Sequence, residues 1–288
     1  LTRAEQCQVK TTIPLFQIYT DLSPTVPLAL AAPAAVAGLA YVNAKASLFY
    51  DYNLIVPGLK GQVKIALREK KDRLSLFYIL EDNAQGKLAN KTFMTFEGQQ
   101  WTYKEVYQTA LKYGTWLKKK YHIMPKEVVA MDFMNSDKFV FIWLGLWSIG
   151  AKPAFINYNL TDKALSHSVR VSTARLVLVD PEVQHNITEG VKNEVPNIQF
   201  EFFGPELEVE AMTTEGVREP DSTRSEDKPS NIAILIYTSG TTGFPKPAII
   251  SWQKLISSGA FVPGWCAFNK NDILYTVSLL SYTTKNPF

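Results

Sequence analysis

Residues 232–251 read IAILIYTSGTTGFPKPAIIS, and this stretch decides both the architecture and the chemistry. Ile232–Tyr237 is an unbroken apolar run, the pattern of a strand buried on both faces. It opens directly into Thr238–Pro247, where hydroxyls and glycines are denser than anywhere else in the chain. Gly240 and Gly243 free the backbone to turn and expose N–H groups. Thr238, Ser239, Thr241 and Thr242 surround those amides with hydroxyls, and Lys246 adds a mobile cation. A nest of donors of this kind suits polyphosphate oxygens. Each hydrogen bond to a charged oxygen is worth about 1.5–3 kcal/mol, so a handful would hold a nucleotide tail. Tyr237 reads more simply as packing than as part of the nest. The string is not the common GxxxxGK[ST] loop, which runs into a helix at its lysine. Here Phe244-Pro245 separates Gly243 from Lys246, and Pro247-Ala-Ile-Ile predicts a second strand. The plain alternative is a polar hairpin tip with no ligand.

Working back from this stretch, residues 205–230 are acidic and polar (EPDSTRSEDKPS at their end) and read as a surface linker. Before them, helical and strand patterns alternate. Thr102-Tyr-Lys-Glu105 is a capping box opening a helix that ends in Lys118-Lys119-Lys120. Glu127–Phe133 (EVVAMDF) is a buried strand, Ser136 caps the apolar helix FVFIWLGLWSI, and Gly150 stops it. Strands are expected at Lys152–Asn157, Arg175–Asp180 and Ile198–Phe203, with helices at Thr161–Ser172 and Pro181–Val191. Repeated βα units with continuous apolar strands imply an α/β fold, a parallel sheet covered by helices on both faces. Ligands of such sheets bind outside the carboxyl ends of the strands.

The whole chain of 288 residues holds 30 Lys+Arg against 27 Asp+Glu, a net charge of +3, too balanced for a protein built around nucleic acid. Cys7 and Cys266 have no metal-ligand spacing, so neither a disulfide scaffold nor a structural zinc site is expected. His122, His167 and His185 are scattered and lack an evident nucleophile or carboxylate partner. Trp143 and Trp147, one helical turn apart, read as core.

The amino-terminal quarter is different. Val26–Val42, VPLALAAPAAVAGLAYV, carries no charge over 17 residues. A bilayer crossing takes about 20 apolar residues, so this segment is near the lower limit. It reads as a membrane-associated helix over 26–50, either spanning or lying on the membrane, with an Ala-rich buried helix as the alternative. A tail of residues 1–25 precedes it and a basic amphipathic connector, 51–90, follows. Within that connector Lys60–Arg73 and the adjoining LSLFYIL could lie on anionic lipid. If the segment spans, the downstream basic residues place the rest of the chain in the cytosol.

YTSGTTGFPKPA, residues 237–248, resembles the phosphate-loop signature of the adenylate-forming (AMP-binding) superfamily. The Pro-Ala after Lys246, the block Phe141–Asp180, FEGQQWTYKEVYQTALKYGTWL (residues 96–117) and the apolar amino terminus are all similar to very-long-chain acyl-CoA synthetases and fatty acid transport proteins. The resemblance implies that residues 91–288 are the amino-terminal part of the adenylate-forming large domain. It also implies a long- or very-long-chain fatty acid–CoA ligase that uses ATP, Mg²⁺ and CoA. In such enzymes a carboxylate attacks the α-phosphorus of ATP, and CoA thiol then displaces AMP from the acyl-adenylate. Carried over position by position, Thr238, Ser239, Gly240, Thr241, Thr242, Gly243 and Lys246 would hold the ATP phosphates. The implied partners are fatty acid and membrane, at the endoplasmic reticulum, peroxisome or lipid droplet. Two rival classes stay open: a non-catalytic membrane protein that binds or imports fatty acids, and an adenylating enzyme for another carboxylate. After Thr276 the chain departs from the family pattern, with VSLLSYTTKNPF in place of a histidine-bearing acyl-site motif. The expectation is therefore a truncated chain, inactive alone, with a frameshift or retained intron near residue 277 as one origin.

Overall fold

The computed structural model describes residues 28–238, 243–269 and 271–275. They fall in two units, divided between Val56 and Pro57. The first holds α1 (Leu28–Ala46) and the opening turns of α2 (Leu48–Lys70). Ser47 separates the helices at φ 51°, and the Asn43 side chain accepts from the Phe49 N–H at 2.7 Å, so the second helix starts on a side chain of the first. The predicted apolar helix thus forms, and its side chains from Ala32 to Tyr41 are exposed rather than packed into a core. No helix among the described residues is long and apolar enough to cross a membrane.

The second unit continues α2 and adds α3 (Phe77–Gln85), a hairpin of β1 (Thr92–Phe96) and β2 (Gln99–Thr102), and α4 (Tyr103–Tyr121). The capping box closes as its sequence requires: the Glu105 carboxylate accepts from Thr102 N–H at 2.8 Å, and the Thr102 hydroxyl accepts from Glu105 N–H at 3.2 Å. Then come β3 (Val128–Asp132), α5 (Asp137–Ser148), β4 (Lys152–Ile156), α6 (Asp162–Val171) and β5 (Leu176–Val179). A 3₁₀ turn (Pro181–Asn186), α7 (Glu189–Glu194) and β6 (Gln199–Phe202) follow, so the single helix expected over 181–191 is two short pieces. Asp180 caps the first piece and Thr188 the second, and two caps within eight residues break the segment. The chain continues through α8 (Pro205–Thr213), β7 (Ile232–Thr238), β8 (Lys246–Ser251) and α9 (Trp252–Trp265).

The six-stranded sheet has the order β6-β5-β3-β4-β7-β8; every pair is parallel except β7–β8, which is antiparallel. One face carries α3, α4 and α5 over Val129, Met131, Leu176 and Leu178. The other carries α6 and α7 over Ala130, Ala154, Val177 and Val179. On the first face α4 and α5 touch backbone to backbone. A Cβ added at Gly114 would stand 2.1 Å from Ser148 Oγ and 2.6 Å from the Gly145 carbonyl, so only glycine fits there. Trp147 is buried beside Trp252 and donates to the Ala233 carbonyl at 3.0 Å, confirming a packing role.

Two segments are more deeply built in than their composition suggests. LSLFYIL, expected to be available to lipid, is core: Leu74, Phe77, Tyr78 and Leu80 are buried and α3 packs on α4. Residues 205–230, expected as a surface linker, contain α8 and a 3₁₀ turn (Asp221–Arg224) that buries Arg224. The Arg224 guanidinium donates to the carbonyls of Ser148 and Glu219 and lies over the rings of Phe77 and Tyr78. Three residues on, Asp227 meets Lys152 of β4 at 2.8 Å, both side chains buried, and also accepts from the Trp252 indole at 3.0 Å.

Candidate functional site

The glycine- and hydroxyl-rich string lies where β7 ends. β7 runs parallel to β4, so its last residue, Thr238, emerges on the same edge of the sheet as the carboxyl ends of β3, β4, β5 and β6. The chain returns antiparallel as β8, with Thr238 opposite Lys246 across the ladder. A hairpin therefore replaces the loop-to-helix turn of the common phosphate loop, as the Pro-Ala-Ile-Ile after Lys246 predicts.

Of the seven residues named from sequence, Ser239, Gly240, Thr241 and Thr242 lie outside the described residues. The other three bracket the turn. Thr238 approaches the Lys246 carbonyl through its hydroxyl at 3.5 Å, the outer limit of a hydrogen bond, so that donor can turn to a ligand. Gly243 sits at φ 87°, a left-handed conformation that favours glycine, and a Cβ there would meet none of the described residues within 4 Å. Lys246 is exposed, and among the described residues its ammonium has no ion-pair partner. Phe244 holds the turn against α6: its ring lies 5.1 Å from that of His167. Tyr237 is buried and donates to the Ser168 carbonyl at 2.9 Å, and burial pushes its phenol above the usual range. It is a packing residue that pins β7 to α6.

Among the described residues, the hairpin thus brings a lysine without an ion-pair partner, a hydroxyl and Gly243 to the sheet's carboxyl edge. It does not by itself provide a metal site. Among the described residues no group of three His, Cys, Asp or Glu side chains could hold a metal ion.

A cleft of about 580 Å³ opens further along the same edge, between the β1–β2 hairpin and the ends of β3, β5 and β6. Its lining carries Glu97, Asp137, Asp180, Glu182 and Glu208 against Lys138, a charge balance that repels phosphate. Lys138 itself is engaged by Asp137 at 3.1 Å and Glu208 at 3.6 Å.

Sequence reasoning missed the carboxylate beside this cleft. Asp132 ends β3 fully buried, and among the described residues neither of its carboxylate oxygens has a hydrogen-bond partner. Burial, then the negative charge of Asp180, pushes its carboxyl up to about 7. Asp180 directly follows the neighbouring strand, β5. Its carboxylate accepts from the N–H groups of Glu182 at 3.0 Å and Met134 at 3.3 Å, while its own N–H donates to the Asp132 carbonyl at 2.9 Å. The signal was legible in EVVAMDF, an acid inside a strand otherwise fully apolar after its first residue.

The mostly parallel sheet with its antiparallel last strand defines an α/β protein, and comparison with known proteins gives the class. Residues 80–283 match the family model described as AMP-binding enzyme, and the chain belongs to that family. It is 30% identical over 271 residues to a very long-chain fatty acid transport protein of Cochliobolus heterostrophus, covering 90% of this chain and 42% of the relative. It is 34% identical over 200 residues to the very long-chain fatty acid transport protein of Saccharomyces cerevisiae, covering 65% of this chain and 28% of the relative. The chain thus spans less than half the length of these relatives. Among solved structures, VinN superposes with a TM-score of 0.57 at 19% identity, covering 68% of this chain and 48% of VinN. The anthranilate CoA ligase AuaEII with anthranoyl-AMP superposes with a TM-score of 0.54 at 24% identity, covering 62% and 34%. These two likenesses establish the fold: the sheet and its covering helices are those of adenylate-forming enzymes.

Proposed function

We propose that this chain forms the ATP-gripping part of a fatty acid–CoA ligase for long or very long acyl chains, working at a membrane with this domain on the cytosolic side. The observation that carries the proposal is the β7–β8 hairpin, which sets Gly243 and Lys246, the latter without an ion-pair partner among the described residues, at the sheet edge where ligands of this fold bind. The names of the transport-protein relatives support the acyl class, as does a 24% likeness to a medium/long-chain-fatty-acid–CoA ligase of Mycobacterium tuberculosis. In this reading Lys246 neutralises terminal phosphate charge. Thr238 and the hydroxyls of Ser239, Thr241 and Thr242 donate to phosphate oxygens, and Gly240 and Gly243 let the backbone approach. Held this way, the triphosphate presents its α-phosphorus to an incoming carboxylate, a positioning effect rather than acid–base catalysis. Mg²⁺ would offset charge on the phosphates when bound, and no described residue is assigned to it or to CoA.

Equilibrium binding of ATP to the purified chain and to Lys246→Ala tests the site. Loss of one charge-assisted bond of about 1.5–3 kcal/mol weakens binding by about 10- to 100-fold. Equal affinity of the two proteins, or no ATP binding by either, removes the assignment.

A further inference from the structure

Helix α2 is apolar on two opposite sides. One side is used inside its own unit. Gly61 lies against α9, where an added Cβ would stand 3.3 Å from the Ser257 Cα, Ile65 is buried, and Pro57 meets Gly264. On the other side Leu59, Val63 and Leu67 recur at i, i+4 and i+8 and are 60%, 58% and 54% exposed. This stripe is two residues out of step with Gly61 and Ile65, about 200° around the helix; its last residue, Leu67, also borders a groove with Ile79 of α3 and Leu255 of α9. A helix that packed only on its own domain would be polar there.

The charges beside the stripe identify its partner. Pro57–Lys71 contains Lys60, Lys64, Arg68, Lys70 and Lys71 and one acid, Glu69. Lys60 and Lys64 each follow a stripe residue, both are exposed, and among the described residues neither has an ion-pair partner; the same holds for Lys71. A second copy of this chain, docked face to face, would bring these lysines against one another. An anionic lipid surface satisfies both features, because acyl chains take the apolar stripe and headgroups take the cations.

We propose that the outer face of α2, centred on Leu59, Val63 and Leu67 and bordered by Lys60, Lys64 and Lys71, docks in the plane of an anionic bilayer. The proposal rests on the membrane partnership above and adds the surface and the headgroup charge. Vesicle flotation of the purified chain tests it, using phosphatidylcholine alone and phosphatidylcholine with phosphatidylserine. The chain should float with the anionic vesicles and remain behind with the neutral ones, and high salt should weaken the binding. Each lysine near the surface is worth about fivefold, so Lys60→Glu, Lys64→Glu and Lys71→Glu together should lose at least about 100-fold. Leu59→Ser, Val63→Ser and Leu67→Ser together should abolish flotation while circular dichroism stays unchanged. Equal flotation on neutral vesicles overturns the proposal, as does full binding by either triple variant. Binding that survives both variants but is lost on deleting residues 28–46 keeps the membrane partnership and sinks this surface. Self-association abolished by the serine variant, with no vesicle binding, assigns the face to a second copy and also overturns the proposal.

Discussion

Replacing Asp132 with asparagine isolates the energetic effect of an ionisable group buried at the end of β3. In the folded protein its carboxyl titrates at about 7, against 3.8 for the free side chain. The folded state therefore keeps the proton over a range where the unfolded chain has released it, and stability falls as pH rises from about 3.8 to about 7. Below that window the ionisation penalty is absent; above it the penalty is complete. At 1.36 kcal/mol per unit, the full penalty is about 4 kcal/mol, and more than half of it grows in between pH 5 and pH 8. Asparagine cannot ionise. The unpaired amide has its own burial cost, about 1–3 kcal/mol, but that cost does not change with pH. The measurable quantity is thus the stability difference between variant and parent, taken from urea unfolding at pH 5, 6, 7 and 8. It should move in the variant's favour by about 2–3 kcal/mol across the series. The Asp180 charge is the second cause of the shift, so Asp180→Asn should move the parent's transition to lower pH. A difference that stays flat within about 0.5 kcal/mol would mean that the Asp132 carboxylate is ionised and solvated or paired, and the reasoning fails.

Lys152→Met should lower stability by about 3–5 kcal/mol in urea melts, because it leaves Asp227 buried without its cation. Adding Asp227→Asn should recover part of that loss, and a strictly additive pair would refute the coupling. Gly243→Val forces a β-branched residue to φ 87° and should cost about 1–2 kcal/mol. Because the surrounding space is open, the damage should appear as weakened ATP binding with little loss of helical signal on circular dichroism, whereas Gly243→Asn should be tolerated.

The βαβ region from Glu127 to Phe203 was largely legible because its strands are short apolar runs and its apolar helix opens on the Ser136 cap, whereas the Thr188 cap that splits 181–191 was missed. The β7–β8 hairpin was legible from Phe244-Pro245, which part Gly243 from Lys246, and from the Pro247-Ala-Ile-Ile run that reads as a second strand. Residues 205–230 were not. Their acids look like solvent-seeking composition, yet Glu210 pairs with Lys120, and Glu219 pairs with Lys118 while its carbonyl accepts from the buried Arg224. Composition reports charge, not the partner a hundred residues away. For the same reason the meeting of Asp132 with Asp180 depends on β3 and β5 being neighbours, and strand order is set by crossovers that no local pattern encodes. LSLFYIL was misplaced because a core helix and a lipid-facing helix share one apolar alphabet.

The return of the chain as β8 has a consequence for how the turn can hold an anion. In a loop that runs straight into a helix, the aligned peptide dipoles supply a fixed positive end. Here six strand residues separate the turn from the next helix, which starts at Trp252. Under the proposed function, attraction for the nucleotide falls chiefly on the Lys246 ammonium rather than on a helix end, a grip that added electrolyte would loosen by screening.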